Sequence, residues 1–277
     1  MNSKVNKTKS IFGAIIGDIV GSRFEFDNIK SKDFELFDSE CSLTDDSYMT
    51  IACAKALLEY KSSLRDSDLG EIAKECFRSI GREYQSSYGK QFHLWLISED
   101  PKPYNSFGNG SAMRISPVAY VSANIEEVKT LSRKITEVSH NHPEGIKGAE
   151  ATAIATYLAL SGKDKNSIKK YISDNYYNLD FKLDDIRDSY KFDGSCQGTV
   201  PFALEAFFES SGFEDAIRNA ISIGGDSDTI GAICGGVAGA YYGVPEDLVL
   251  EAKKKFRFKE ELLDIIRDFE EKYCKRI

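Results

Sequence analysis

ISIGGDSDTIGAICGGVAGAYYG, residues 221–243, is the stretch on which the fold turns. Gly224-Gly225 opens backbone angles closed to other residues, so a tight turn forms cheaply just before Asp226-Ser227-Asp228-Thr229. On a helix Asp226 and Asp228, two apart, would point away from each other; in an irregular turn their carboxylates can converge. From Ile230 onward the chain reads as a helix, with Ile233, Val237 and Tyr241 at four-residue spacing and Gly231, Gly235, Gly236 and Gly239 among them. Each glycine costs a helix about 1 kcal/mol relative to alanine. Such a helix persists only where close packing compensates, so it belongs at the centre of the molecule. The simpler role for either aspartate is a helix cap.

The 277 residues allow one large domain or two small ones, and 42% hydrophobic with 12% aromatic residues is enough for a sizeable core. A net charge of −8 argues against a long nucleic-acid partner but not against a single phosphorylated ligand in a local pocket. The six cysteines contain no C-x-x-C pair, which points to reduced thiols of a cytoplasmic protein. Lys4, Lys7 and Lys9 before IFGAIIGDIV imitate a signal peptide. Asp18 interrupts that apolar run, which is also too short to span a bilayer. The expectation is a soluble, unprocessed chain: a frayed tail over 1–10, then one domain over 11–277.

Gly13, Gly17 and Gly21 recur every fourth residue, placing them on one helix face that another helix can approach closely. Glu25 follows between Phe24 and Phe26, a partly desolvated setting that raises a carboxyl pKa and suits proton transfer. Thr44 reads as the N-cap of a helix with Asp45 and Asp46 in its first turn. Further helices are expected over 66–85, 126–138, from Pro143, over 166–174, 183–190, and from Cys196 with Pro201 near the start, with one or two across 247–277; 91–97 reads as a short apolar stretch and 213–223 as the lead into Gly224-Gly225. In between, Gly108-Asn109-Gly110-Ser111 can aim successive N–H groups at an anion where a helix begins. It lacks the Lys-Ser/Thr ending of a P-loop. His140 and His142 lack a third metal ligand nearby and are expected to cap or hydrogen-bond. The pattern is all-α: a single compact domain of about ten to thirteen helices of ordinary length.

The two acidic clusters, Thr44-Asp45-Asp46 and Asp226 with Asp228-Thr229, each open an apolar helix. If those helices pack with their starts at the same end, four carboxylates meet and require a cation. All six groups are hard oxygen donors, which favours Mg²⁺, Mn²⁺ or Ca²⁺ over zinc, in a two-metal site.

The ordered set G-x-x-x-G-D-x-x-G-x-x-x-E at 13–25, TDD at 44–46, GNGSAMR at 108–114, SHNHPEG at 139–145 and GGDSDTIG-A at 224–232 resembles the ADP-ribosylglycohydrolase family. The resemblance implies an all-α fold with two Mg²⁺ (or Mn²⁺) ions, and ligand positions at Thr44, Asp45, Asp46, Asp226, Asp228 and Thr229. It implies a catalytic carboxylate at Glu25, mobile in the family. It implies ADP-ribose binding by Ser106, Phe107, Gly108, Asn109, Gly110, Ser111 and Met113, with Phe107 stacked on adenine and His140 near the nucleotide. The implied reaction cleaves the glycosidic bond between ADP-ribose and an acceptor, and the implied partner is an ADP-ribosylated protein or small-molecule conjugate. Neither membrane nor long nucleic acid is expected, and the chain is expected to be a monomer. Loops 27–43 and 85–107 are expected to choose the acceptor. The alternatives are a two-metal phosphoester or pyrophosphate hydrolase, and a non-catalytic ADP-ribose binder.

Overall fold

The computed structural model describes residues 6–62, 68–256 and 258–274. A two-residue strand β1 (Lys7–Thr8) leads into α1 (Phe12–Ser22), and a long loop then reaches α2 (Asp45–Ser62). There follow α3 (Leu69–Glu83), α4 (Lys90–Ile97), the short α5 (Gly110–Met113) and α6 (Pro117–Val121), and α7 (Ile125–Thr136). Next come α8 (Pro143–Leu160), α9 (Lys165–Asn175), α10 (Leu183–Ile186), α11 (Cys196–Phe208), α12 (Phe213–Ser222) and α13 (Ser227–Tyr242). Strand β2 (Val244–Pro245), α14 (Glu246–Lys255) and α15 (Glu260–Tyr273) complete the chain. Among the described residues that is fifteen helices, of which α5, α6 and α10 are single turns, so the longer ones fall within the expected range. The domain is all-α, and no helix among the described residues is long and apolar enough to cross a membrane.

Helix α13 is the centre: every residue from Ser227 to Ala240 is buried. It lies along α1, whose residues Phe12 to Gly21 are buried too. The glycines explain the pairing. A Cβ on Gly17 would collide with the carbonyl of Gly231, one on Gly13 with that of Gly235, and one on Gly21 with Ser227 and Asp228. The reverse holds for Gly231 against Gly17 and Gly235 against Gly13. The two backbones therefore touch directly, and their dispersion contact replaces what the glycines forfeit in propensity. Helices α8, α11 and α12 pack around α13, and α2, α3 and α15 complete the α1 side.

Four expectations change. Lys7 and Thr8, assigned to a frayed tail, pair antiparallel with Pro245 and Val244, and the adjoining Ser10 is buried with its hydroxyl on Glu270; residues 1–5 of that tail lie outside the described residues. The helix expected over 183–190 stops after one turn: the carbonyl of its last residue, Ile186, is shared by the N–H groups of Ser189 and Tyr190, which closes the chain into a turn. Helix α13 begins at Ser227, three residues before the expected start. Pro201 is the sixth residue of α11 rather than close to its start.

Candidate active site

Four of the acidic residues are delivered by helix starts, Asp45 and Asp46 by α2 and Asp226 and Asp228 by α13. Asp45 and Asp46 open α2, where the helix dipole favours negative charge. Asp18 lies inside α1, fully buried, and reaches across to that same end. Its Oδ2 accepts from the backbone N–H groups of Thr44 and Ser47 at 3.1 Å each, and its Oδ1 accepts from the Thr44 hydroxyl at 2.6 Å. Asp18 thus satisfies the orphan donors of α2 and ties α1 to it. The Thr44 hydroxyl is committed to this contact and is absent from the cavity wall.

Gly224 and Gly225 both adopt positive φ (67° and 81°), which turns the chain sharply so that Asp226 precedes the first turn of α13. Asp226 occupies the N-cap position but makes no cap hydrogen bond. Its Oδ2 accepts from Asn109 Nδ2 at 2.7 Å instead, and Asn109 Nδ2 also donates to Thr199 Oγ1 at 3.0 Å. The capping role is therefore vacant and the carboxylate is free to face Asp228.

The two helix starts do meet. Carboxylate oxygens of Asp18, Asp46 and Asp228 lie within 4.8 Å of one another, and so do those of Glu25, Asp226 and Asp228. Asp228 belongs to both groups. Asp45 and Thr229 face the same cavity without joining either tight group. Among the described residues none of these six carboxylates forms an ion pair, and Asp46 Oδ1 is buried without a hydrogen-bond partner. Burial, and then mutual repulsion, pushes Glu25 up to about 7, with Asp226, Asp45 and Asp18 as its charged neighbours. Asp45 rises to about 7 and Asp18 to about 6, in both cases chiefly through burial. Asp46 and Asp228 are held well above the ordinary carboxylate range, again by burial first. Arg114 also lines the cavity and its charge acts on Asp45, but among the described residues it pairs with none of the acids; convergent carboxylates and an orphaned acceptor fit divalent cations bound by hard oxygen donors.

Above this floor opens a cavity of about 640 Å³. Ser106, Phe107, Gly108, Asn109, Gly110, Met113 and His140 line it together with Glu25, Asp45, Asp46, Asp226, Asp228 and Thr229. Ser111 does not: its hydroxyl donates to the Gly145 carbonyl at 2.8 Å. The glycine loop is also less open to an anion than its spelling implies. The Gly108 N–H donates to Ser106 Oγ at 3.1 Å, and the Asn109 N–H donates to the Gly194 carbonyl at 2.9 Å. Phe107 stands half-exposed at the rim, edge-on to His142, which caps α8 by accepting from the Glu144 N–H at 3.1 Å. His140 is buried and hydrogen-bonded, so neither histidine needs a metal.

Sequence reading noted Asp18 without giving it a part in the site. It missed the 192–198 segment, which bridges to Gly108 and brings Phe192 and Gly194 to the wall. An Asp-Gly turn beside an aromatic was the available signal. It also missed Asn28, whose side-chain amide donates to the carbonyls of Phe24 (2.6 Å), Glu25 (3.1 Å) and Gly225 (2.9 Å) and accepts from the Gly225 N–H (2.7 Å). That clasp fixes the Glu25 loop against the turn that carries Asp226. Of the loops expected to choose the acceptor, Ser87, Gly89, Lys90 and Gln91 line the cavity, whereas residues 27–43 do not.

An all-α domain whose two deepest helix starts converge on an acidic floor, beneath a glycine loop and aromatic walls, defines a helical protein with a cation-competent ligand pocket. The chain belongs to the ADP-ribosylglycohydrolase family, whose sequence model matches residues 6–276. Similar proteins include the ADP-ribosylarginine hydrolase Tri1 of Pseudomonas putida (strain GB-1), 27% identical over 85% of this chain and 70% of that one. The ADP-ribosylhydrolase ARH3 of Danio rerio is 24% identical over 96% and 90% of the two chains. A solved structure described as an ADP-ribosylglycohydrolase-related protein complex shares the fold, with a TM-score of 0.69 and 22% identity over 94% of each chain.

Proposed function

We propose that the protein hydrolyses the glycosidic bond between ADP-ribose and an acceptor such as a protein side chain, releasing ADP-ribose. The observation that carries this reading is the convergence of Glu25 with the acids of α2 and α13 on the floor of one cavity. The family membership and the names of the relatives support it.

Asp45, Asp46, Asp226, Asp228 and Thr229 would hold two Mg²⁺ or Mn²⁺ ions, with Thr44 reaching them through Asp46 and Asp18. Bound there, the ions supply Lewis-acid charge that orients the ribose hydroxyls. The chain's own groups do the rest. Asn109 holds the Asp226 carboxylate, and Asp18 anchors the start of α2 that carries Asp45 and Asp46. The glycine loop and Phe107 grip the diphosphate and adenine end, which leaves the distal ribose over the acids. The bond from the anomeric carbon to the acceptor breaks through an oxocarbenium-like state, which the surrounding carboxylates stabilise. Water adds its oxygen to that carbon and loses a proton, and the leaving acceptor atom gains one. Glu25, a half-buried carboxyl at the cavity wall beside Asp226 and Asp228, is the group placed to pass this proton.

The test is incubation with peptides ADP-ribosylated on arginine or serine, with and without Mg²⁺ or Mn²⁺, with products resolved by mass. Free ADP-ribose is expected only with the cation. AMP as the product would replace this reading with pyrophosphate hydrolysis, and tight ligand binding without turnover would replace it with a binding protein.

A further inference from the structure

His140 closes one wall of the cavity, and its hydrogen bonds fix where its proton sits. Arg114 Nη2 lies 2.8 Å from Ser139 Oγ and 3.4 Å from His140 Nδ1. Ser139 Oγ lies 2.8 Å from the same Nδ1. A guanidinium can only donate, so the Ser139 oxygen accepts from Arg114 and its own proton is free for the imidazole. With both neighbours donating, Nδ1 must accept, and the ring carries its hydrogen on Nε2. A second proton on Nδ1 would set positive charge against Arg114; burial first, then that charge, holds the His140 pKa well below its ordinary value.

The other nitrogen points at the glycine loop. His140 Nε2 would be 3.3 Å from a Cβ on Gly110 and 3.7 Å from one on Gly108, so side chains there would cover it. Among the described residues no protein atom accepts from Nε2, although the residue is only 4% exposed. Arg114 itself is fully buried, sandwiched against Phe77 and Phe92 at 4.4 and 5.1 Å, with Nε and Nη1 unpartnered. An unpaired buried guanidinium is expensive to keep, and its one directed hydrogen bond runs to the Ser139–His140 pair.

We propose that Arg114 and Ser139 are positioning residues that lock His140 as the neutral Nε2–H tautomer, which donates across the Gly108–Gly110 loop to a phosphate oxygen of bound ADP-ribose. The ligand half of this rests on the proposed function; the tautomer half does not.

The chain has three histidines, so imidazole ¹⁵N spectra resolve the tautomer, with the His140 signal identified by its loss in His140→Gln. Wild type is expected to show Nε2–H alone, and that signal should shift when ADP-ribose is added. Ser139→Ala should bring up the second tautomer and weaken ADP-ribose by about tenfold, the worth of one hydrogen bond. Arg114→Met should do the same; if it does not fold, Ser139→Ala decides. A wild-type Nδ1–H form, or unaltered tautomer and affinity in Ser139→Ala, overturns the relay. Binding that leaves the Nε2 signal unmoved overturns the donor role. If wild type binds no ADP-ribose, the proposed function and the donor role fall together, while the spectrum still decides the relay.

Discussion

Asp228 is the residue on which both carboxylate groups depend, and its position carries opposite consequences for stability and for activity. Its charge is buried beside Asp46, Asp226 and Glu25. Asp228→Asn keeps the shape and removes one repelling charge, so the metal-free variant should melt higher than wild type, by about 1 kcal/mol of added stability or more. Its cation content should collapse and its turnover should fall at least about a hundredfold, since even outer partners of metal ligands carry effects of that size. Calorimetry of the metal-free proteins beside cation titration checks both; a variant that melts lower yet still binds cation contradicts the reading. Single residues of this kind were legible when they sat in a spelled motif, as Asp226 and Asp228 do. Asp18 and Ser139 sit in spelled motifs and Asn28 in none, yet the part each plays was hidden, because each acts on a partner that only folding brings near: Asp18 on Thr44, Asn28 on Gly225, Ser139 on Arg114.

At the scale of elements, the spacing of glycines on α1 announced a face meant for close approach, and the glycines of α13 announced a buried helix. That the two faces belong to each other was not written in either; it follows from matching Gly17 with Gly231 in space. Gly17→Ala and Gly231→Ala should each destabilise the fold by about 1–3 kcal/mol or more, because the added methyl meets backbone atoms that cannot swing aside. Gly89→Ala, with open space around it, serves as the control and should leave the melting temperature unchanged. Equal melting of Gly17→Ala and the control would mean that the helices are not in backbone contact. The shortened α10 and the ordered β1 escaped the sequence for a related reason: each is decided by neighbours remote in the chain, not by local spelling.

For the whole molecule, the acid floor makes stability depend on pH and cation together. Folding raises the Glu25, Asp45 and Asp18 carboxyls to about 7, 7 and 6, whereas the unfolded chain releases those protons near pH 4. Between roughly pH 4 and 7 the folded state therefore holds more protons, so this cluster's contribution is greatest at low pH and declines as pH rises. A divalent cation competes with those protons and restores what is lost. The rise in melting temperature on adding Mg²⁺ or Mn²⁺ should be small at pH 5 and larger at pH 7.5; an increment that is absent or independent of pH speaks against cations at the acid floor. All-α architecture was legible from helix-forming periodicity with almost no strand pattern, and the acidic clusters from their spelling, but their meeting was left to the packing of α1, α2 and α13.

Because α1 and α13 touch through peptide atoms, the gap between the loop leaving α1 and the acids opening α13 is set by main-chain dimensions that do not change with sequence. The seam thus works like a gauge block, holding working tolerances that side-chain packing would let drift. Its last contact, Gly21 beside Asp228, lies at the acid-bearing end. A methyl there would displace the acid's own backbone, and function would fail at that joint while the remainder of the scaffold still stood.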